Sequence, residues 1–168
     1  YKVSFVRNVT DVDDKIIEKA REQGASDLGQ AVSEVSGIYF DRYKRDLRRL
    51  GISEPTHEPK ATEHVGQMTR LIERLLEKEM AYESDGDVYY DVRRFEGYGK
   101  LSHQNQKAML ENVRFDKNEK KHDPLDFALW KSAKENEPSW DSPWGKGRPG
   151  WHIECSVMSS DILGDEFD

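Results

Sequence analysis

Apolar positions divide the chain into helical and extended stretches. Ile16, Ile17 and Ala20 recur at helical spacing ahead of Gly24. Leu28, Ala31, Val32, Val35, Ile38, Tyr39, Tyr43, Leu47 and Leu50 repeat the pattern ahead of Gly51. This predicts a short helix and a long one, each with glycine at the stop position. Thr10 or Asp11 is the expected cap of the first, and Ser26 or Asp27 that of the second. Gly29 and Gly37 weaken the long helix locally, by roughly 1 kcal/mol each relative to Ala. Val65, Met68, Leu71, Ile72, Leu75, Leu76 and Met80 predict a third helix, capped by Thr62 and running to about residue 82. Residues 2–7 are β-branched and aromatic and predict a strand. Residues 81–92 predict a hairpin, because Asp85-Gly86 tolerates the positive φ of a tight turn. Ile153, Val157, Met158 and Ile162 predict a last helix, stopped at Gly164.

Between these elements the pattern is weaker. Phe95, Tyr98 and Leu101 are expected loop anchors, and 108–110 a helical turn. Residues 112–122 are polar and charged, with mobility expected. Leu125, Phe127, Leu129 and Trp130 fit a short helix or a strand, and the local pattern does not choose.

The stretch 137–156 stands apart. It holds three of the four tryptophans, three of the six prolines and the only cysteine. Its Pro and Gly positions predict neither helix nor strand before Trp151. Exposed linkers do not carry three indoles, so an ordered, packed loop is expected, delivering His152 and Cys155 to a fixed place. Cys155 is expected in the first turn of the last helix, where free amides and the helix dipole favour a thiolate.

Composition narrows the functional classes. Apolar and charged residues each make up 35% of the 168 residues, which suits extended helices better than a sandwich. A net charge of −7 argues against binding nucleic acid by charge alone, though not against a local basic strip. Arg42, Lys44, Arg45, Arg48 and Arg49 form such a cluster; it reads as a solvated helix face or as a phosphate-contacting strip. A single cysteine excludes an internal disulfide and fits a reducing compartment. No apolar run approaches a membrane span, and a cytoplasmic location is expected, without membrane partners.

The chain starts inside an expected strand and ends on Glu166, Phe167 and Asp168, as if another were beginning. Both ends look cut, as in a piece of a longer protein. If both belong to one parallel sheet, the intervening residues form an insertion that returns to where it left. Thr10 and Asp11 then approach Trp151, His152 and Cys155. For each of these residues two readings stay open. Thr10 and Asp11 cap a helix or serve a ligand at a strand's carboxyl end. Cys155 is a buried inert thiol or a metal ligand, and a single Cys without CxxC or HxxxH is a weak metal signal. His152 is a structural histidine or a partner of Cys155, and Trp151 seals the core or stacks on a ligand. No Walker loop is present.

Three runs carry a family resemblance: Phe5-Val-Arg-Asn-Val-Thr-Asp-Val-Asp-Asp-Lys-Ile-Ile17, Asp126-Phe-Ala-Leu-Trp-Lys131, and Glu137-Pro-Ser-Trp-Asp-Ser-Pro-Trp-Gly-Lys-Gly-Arg-Pro-Gly-Trp-His-Ile-Glu-Cys-Ser156. In this order they resemble cysteinyl-tRNA synthetases, over essentially the whole chain. The resemblance implies an α/β fold: part of a Rossmann-like class I synthetase catalytic domain (1–11 and 142–168), interrupted by a mainly helical connective-peptide insertion with a β-hairpin (12–141). It implies ATP-dependent activation of cysteine, with Mg2+, and transfer to tRNA(Cys) by the whole enzyme. It implies a zinc ion on two Cys, one His and one Glu that binds the substrate thiolate, with Cys155 as one ligand of the four. Trp151 matches a residue closing the amino-acid pocket, Thr10 and Asp11 the turn beside the substrate amino group, and His152 lies in that pocket by adjacency. The ATP-binding His-Ile-Gly-His and Lys-Met-Ser-Lys-Ser signatures do not occur here, so this chain alone is expected to be inactive, completed by the remainder of the synthetase. An interaction module binding tRNA through Arg45 and Arg48, or a ligase joining cysteine to an amino sugar, are the alternatives.

Overall fold

The computed structural model describes residues 1–103 and 120–167. The expected helical turn at 108–110 and most of the polar stretch at 112–122 lie outside them. Among the described residues the architecture comprises four α-helices and a four-stranded sheet: α1 (Asp14–Glu22), α2 (Leu28–Arg49), α3 (Val65–Glu77), β1 (Ala81–Ser84), β2 (Asp87–Tyr90), β3 (Phe127–Ser132), β4 (Gly147–Pro149) and α4 (Trp151–Leu163).

Capping explains where the first two helices begin. Asp13, in an extended conformation, accepts from the Lys15 amide at 3.0 Å and starts α1. Thr10 and Asp11, the expected caps, point elsewhere. Asp27 accepts from the Gln30 amide and starts α2, as the sequence predicts. Gly24 and Gly51 follow these helices at φ +70 and +71. The apolar stripe of α2 is buried only in its first half, at Leu28, Ala31, Val32 and Val35. Ile38, Tyr39 and Tyr43, on its second half, and Leu50, its C-cap, are exposed. α3 starts after a 3-10 turn at Ala61–Glu63 and ends at Glu77, short of the expected residue 82. Thr62 does not cap it; its amide and hydroxyl both bind Asp11.

The sheet is antiparallel throughout, in the order β1-β2-β3-β4. The hairpin joining β1 and β2 forms at the expected place, with Asp85 and Gly86 at φ 51 and 78. Phe127 to Trp130 resolves as strand. Successive strand side chains face opposite ways. Leu129 and Trp130 are both buried, so β3 is covered on both faces. One core gathers Val65, Met68 and Ile72 of α3, Val88, Leu129 and Trp130 of the sheet, and Ile153, Val157 and Met158 of α4. A second holds Val12, Ile17, Ala20, Leu28, Ala31, Val32 and Val35. Trp140 packs against both. The hairpin's far end is held by Asp126, fully buried, which accepts from the Val92 and Asp123 amides and the Tyr82 hydroxyl.

Further expectations are corrected. Residues 2–7 are extended but form no strand of the sheet: Val6 and Val9 make isolated parallel bridges with His57 and Lys60. The opening segment is therefore paired with the connector after α2, and Glu166 and Phe167 add no strand, so the described residues hold no parallel sheet joining the two ends. The Trp-rich stretch does contain a strand, β4, whose pairing with β3 the Pro and Gly content had masked. Of the loop anchors, Tyr98 stacks on Phe127 at 6.4 Å, while Phe95 and Leu101 are exposed.

β4 is possible only because of its glycines. A Cβ on Gly150 would lie 2.0 Å from the Ala128 carbonyl oxygen, and one on Gly147 2.4 Å from that of Lys131. We predict that Gly150→Ala lowers stability by about 2 kcal/mol or more through forced separation of the two strands. Gly37→Ala, in α2 with nothing within 4 Å of its Cβ position, instead raises it by about 0.5–1 kcal/mol. Thermal denaturation of both variants checks the contrast.

Asp87 generates an acid-side prediction. Burial alone would raise its pKa, but the Ser132 amide and hydroxyl, Lys120 and Tyr89 together hold it below the ordinary 3.8. A depressed carboxyl contributes stability in full above its unfolded pKa and loses it as pH falls through the folded one. Asp87→Asn should therefore lower the melting temperature at pH 7, by a margin that shrinks below about pH 4. Melting curves from pH 7 to pH 3 test this.

Candidate functional site

α4 begins where β4 ends. Gly150 donates its amide to the Leu129 carbonyl at 2.8 Å and is the residue before the first helical turn. Exposure along the helix then alternates in pairs: Trp151 and His152 out, Ile153 and Glu154 in, Cys155 and Ser156 out, Val157 and Met158 in. Trp151, His152 and Cys155, spaced by three and four, share the outward face.

Trp151 is 62% exposed, so the expectation that all three indoles of this stretch are packed holds for Trp140 and Trp144 only. Trp144 meets Trp130 edge-on at 5.8 Å. The Trp151 ring lies 5.3 Å from that of His152, which in turn tilts onto Phe127 at 4.6 Å. This packing desolvates the imidazole and lowers its pKa below 6.5, although much of the residue stays exposed. His152 is therefore neutral at pH 7.

Cys155 is exposed rather than a buried inert thiol. It lies in the second turn of α4, not the first, and its pKa is raised rather than lowered. Partial burial is the main cause and the neighbouring Glu154 carboxyl the next. The thiol stays protonated at neutral pH, so any metal bound there must displace a proton. Among the described residues no group of three or more His, Cys, Asp or Glu could hold a metal ion. Cys155 thus offers one accessible sulfur and the described residues offer no complete cage.

The opening segment reaches α4 at one point. Thr10 donates its hydroxyl to Glu154 Oε2 at 2.7 Å, across 144 residues of sequence. Thr10 is therefore brought to the helix that carries Trp151, His152 and Cys155. Asp11 is not: both its oxygens accept from Thr62, at 3.0 Å from the amide and 2.6 Å from the hydroxyl. Glu154 itself is 1% exposed, and its pKa is pushed up to about 7, chiefly by burial and further by Asp11 and Asp13, against the Thr10 hydroxyl and Arg148. Asp14, next in the chain, pairs with the buried Arg148 of β4 and with Lys131 of β3, at 2.6 Å for the latter.

Glu154 and Arg148 were not among the residues expected from the sequence. Glu154 left a signal: it shares the apolar face with Val157 and Met158, three and four residues on, where an acid is out of place. Arg148, in a Gly- and Pro-rich run, left none.

Cavities do not mark these residues. Thr10 lines one of about 500 Å3 with Lys15, Tyr39 and Tyr43, and Asp11 lines another of about 380 Å3 with Lys60 and Trp140. A third, about 580 Å3, lies between α3 and α4 and is polar. None of the three is lined by Cys155. The convergence of named side chains, not cavity size, defines the candidate site.

The basic cluster of α2 has the character of a solvated face with neutralising acids. Lys44 pairs with Glu54 and Glu58, Arg48 with Glu54, and Arg45 and Arg49 lie 3.9 Å from Asp46. Among the described residues no helix is long and apolar enough to cross a membrane.

The family described as tRNA synthetases class I (C) catalytic domain matches residues 1–168. A cysteine–tRNA ligase of Pelobacter propionicus is 51% identical over the whole chain, which covers 33% of that protein. Those of Nitrosomonas europaea and Desulfotalea psychrophila are each 54% identical over the whole chain, covering 35% and 33% of them. The chain spans about a third of the length of these curated relatives. The resemblance read from the three sequence runs is thus confirmed, and the chain belongs to the family of tRNA synthetases class I (C) catalytic domains.

Proposed function

We propose that this chain is the part of a cysteine–tRNA ligase that helps select and hold cysteine during its ATP-dependent activation and transfer to tRNA(Cys). The observation that carries the reading is the Thr10–Glu154 hydrogen bond, which joins two of the runs that resemble the family. Support comes also from relatives at 51–54% identity that are named cysteine–tRNA ligases. The surrounding assignment follows: 1–11 and 142–168 in a Rossmann-like half, 12–141 as an insertion, and a cytoplasmic enzyme completed by the rest of its chain. The sheet crosses the second boundary, since β4 pairs with β3.

In this reading Cys155 would supply one thiolate to a zinc ion, whose other ligands would come from the rest of the protein. Bound zinc would take the substrate sulfur as a soft ligand that serine cannot replace. The chain's own residues do the positioning. The exposed Trp151 indole is free to cover a bound amino acid, with neutral His152 beside it. Thr10 presents a hydroxyl oxygen at the turn before α1. Asp11 acts at one remove, holding that turn against Thr62.

The full-length protein should catalyse cysteine-dependent ATP–pyrophosphate exchange and charge tRNA(Cys). The isolated 168-residue chain should do neither. Cys155→Ser should lower bound zinc and erode the preference for cysteine over serine by at least about tenfold, the order expected from loss of a metal ligand. Metal analysis alongside exchange assays with both amino acids tests this. Exchange with cysteine but charging of no tRNA would instead favour an amino-sugar acceptor.

A further inference from the structure

A line of aromatic rings leads away from the candidate site onto the sheet. It starts at the exposed Trp151 and passes to His152 at 5.3 Å and to Phe127 at 4.6 Å. Phe127 stacks in turn on Tyr90 at 5.1 Å, with ring planes 15° apart, and on Tyr98 at 6.4 Å. Tyr90 and Phe127 are cross-strand partners, so their rings meet on one face of the sheet. Tyr98 comes from the segment after the 3-10 turn Val92–Arg94. None of the five rings is buried. Core filling does not account for them, because the buried residues of the adjoining core are non-aromatic apart from Trp130. Tyr90 and Phe127 pack against the margin of that core and stay half-buried. The successive steps make the line longer than one nucleobase, so it suits consecutive bases of a strand better than the single adenine of ATP. Bases of a duplex have their faces covered by their neighbours, so only an unpaired stretch can use it. The segment that brings Tyr98 also brings Arg93, Arg94 and Lys100, all exposed. Arg93 and Arg94 rest against acids with most of their side chains in solvent, and Lys100 makes no ion pair among the described residues. Rings for bases beside mobile cations for phosphates is the combination that holds single-stranded nucleic acid.

We infer that Tyr98, Tyr90 and Phe127 form a stacking track for the unpaired 3′-end bases of tRNA(Cys), leading that end to the face of α4 that carries Trp151 and Cys155. The inference rests on the cysteine-charging role proposed above, in which an unpaired tRNA end has to reach the amino acid. It adds a surface on the sheet, continuous with the candidate site through His152, and gives that surface one partner.

The test uses the full-length protein with intact tRNA(Cys) and with tRNA(Cys) trimmed of its unpaired 3′ nucleotides. Tyr90→Leu and Tyr98→Leu keep apolar bulk and remove the ring. Each should weaken binding of intact tRNA by roughly tenfold, the order of one lost base–ring stack, and leave binding of trimmed tRNA unchanged. Tyr98→Phe keeps the ring and should bind both as the wild type does. Cysteine-dependent ATP–pyrophosphate exchange involves no tRNA, so its kcat and its KM for cysteine and ATP should stay unchanged in every variant, which also reports that each has folded. Equal weakening for intact and trimmed tRNA would reduce the rings to a structural role. Unchanged binding of intact tRNA in both Leu variants would remove the track. A raised KM for ATP with tRNA binding intact would assign the rings to adenine. Each of these three results overturns the inference. Wild-type protein that neither binds nor charges tRNA(Cys) would overturn the underlying role and the inference with it.

Discussion

The structure depends on how closely β4 approaches β3. Gly147 and Gly150 bring the backbone to a distance at which a methyl group would overlap carbonyl oxygens at 2.4 and 2.0 Å. That contact fixes the end of β4, and with it the origin and phase of α4. A helix launched one residue later would be rotated by about 100° and would present a different set of side chains to the core. As it stands, Ile153, Val157 and Met158 meet Val65, Met68 and Ile72, and Glu154 meets Thr10.

Polar ties then hold the opening segment against this frame, and their worth differs. Arg148 is almost fully buried, so its pairing with Asp14 matters most. Loss of Asp14 would strand a buried cation, at a cost below the ~3–5 kcal/mol of a fully buried pair because Asp14 itself is largely exposed. Glu58, shared between Arg7 and Lys44, anchors the extended residues near the connector after α2. The more exposed pairs along α2, such as Arg48 with Glu54, are screened by water and contribute little. Within the basic cluster Lys44 and Arg48 are thereby engaged by neighbouring acids, as in a solvated helix face.

Much of this was legible in the sequence where one local rule decides the outcome. A cap at Ser26 or Asp27, Gly24 and Gly51 as stops, and Asp85-Gly86 as a turn each depend on a few adjacent residues, and Asp27 is the cap. Where two candidates compete within a few positions, local rules failed. Thr10, Asp11 and Asp13 can all cap, and tertiary partners, Glu154 for Thr10 and Thr62 for Asp11, left Asp13 to do so. Strand residues 2–7 had the right composition, but no composition reveals that their partner is the 57–60 connector. β4 was invisible because Pro and Gly suit a turn as well as a close-packed strand. The Trp151 expectation failed because burial was argued for three indoles together, whereas helix phase separates the third from the other two.

That same phase gives α4 two jobs that do not interfere. Its inward face is saturated by apolar contacts and one hydrogen bond, so the helix cannot rock without breaking a packed core. Its outward face carries Trp151, His152 and Cys155 with few contacts of their own, free to meet a ligand. A site on a loop could present the same side chains, but not hold them to the tolerance that selective contacts require. Rigidity is supplied on one side of the helix and availability on the other. Glu154 is the residue that links them, because it belongs to the packed face by position and to the site by its bond to Thr10.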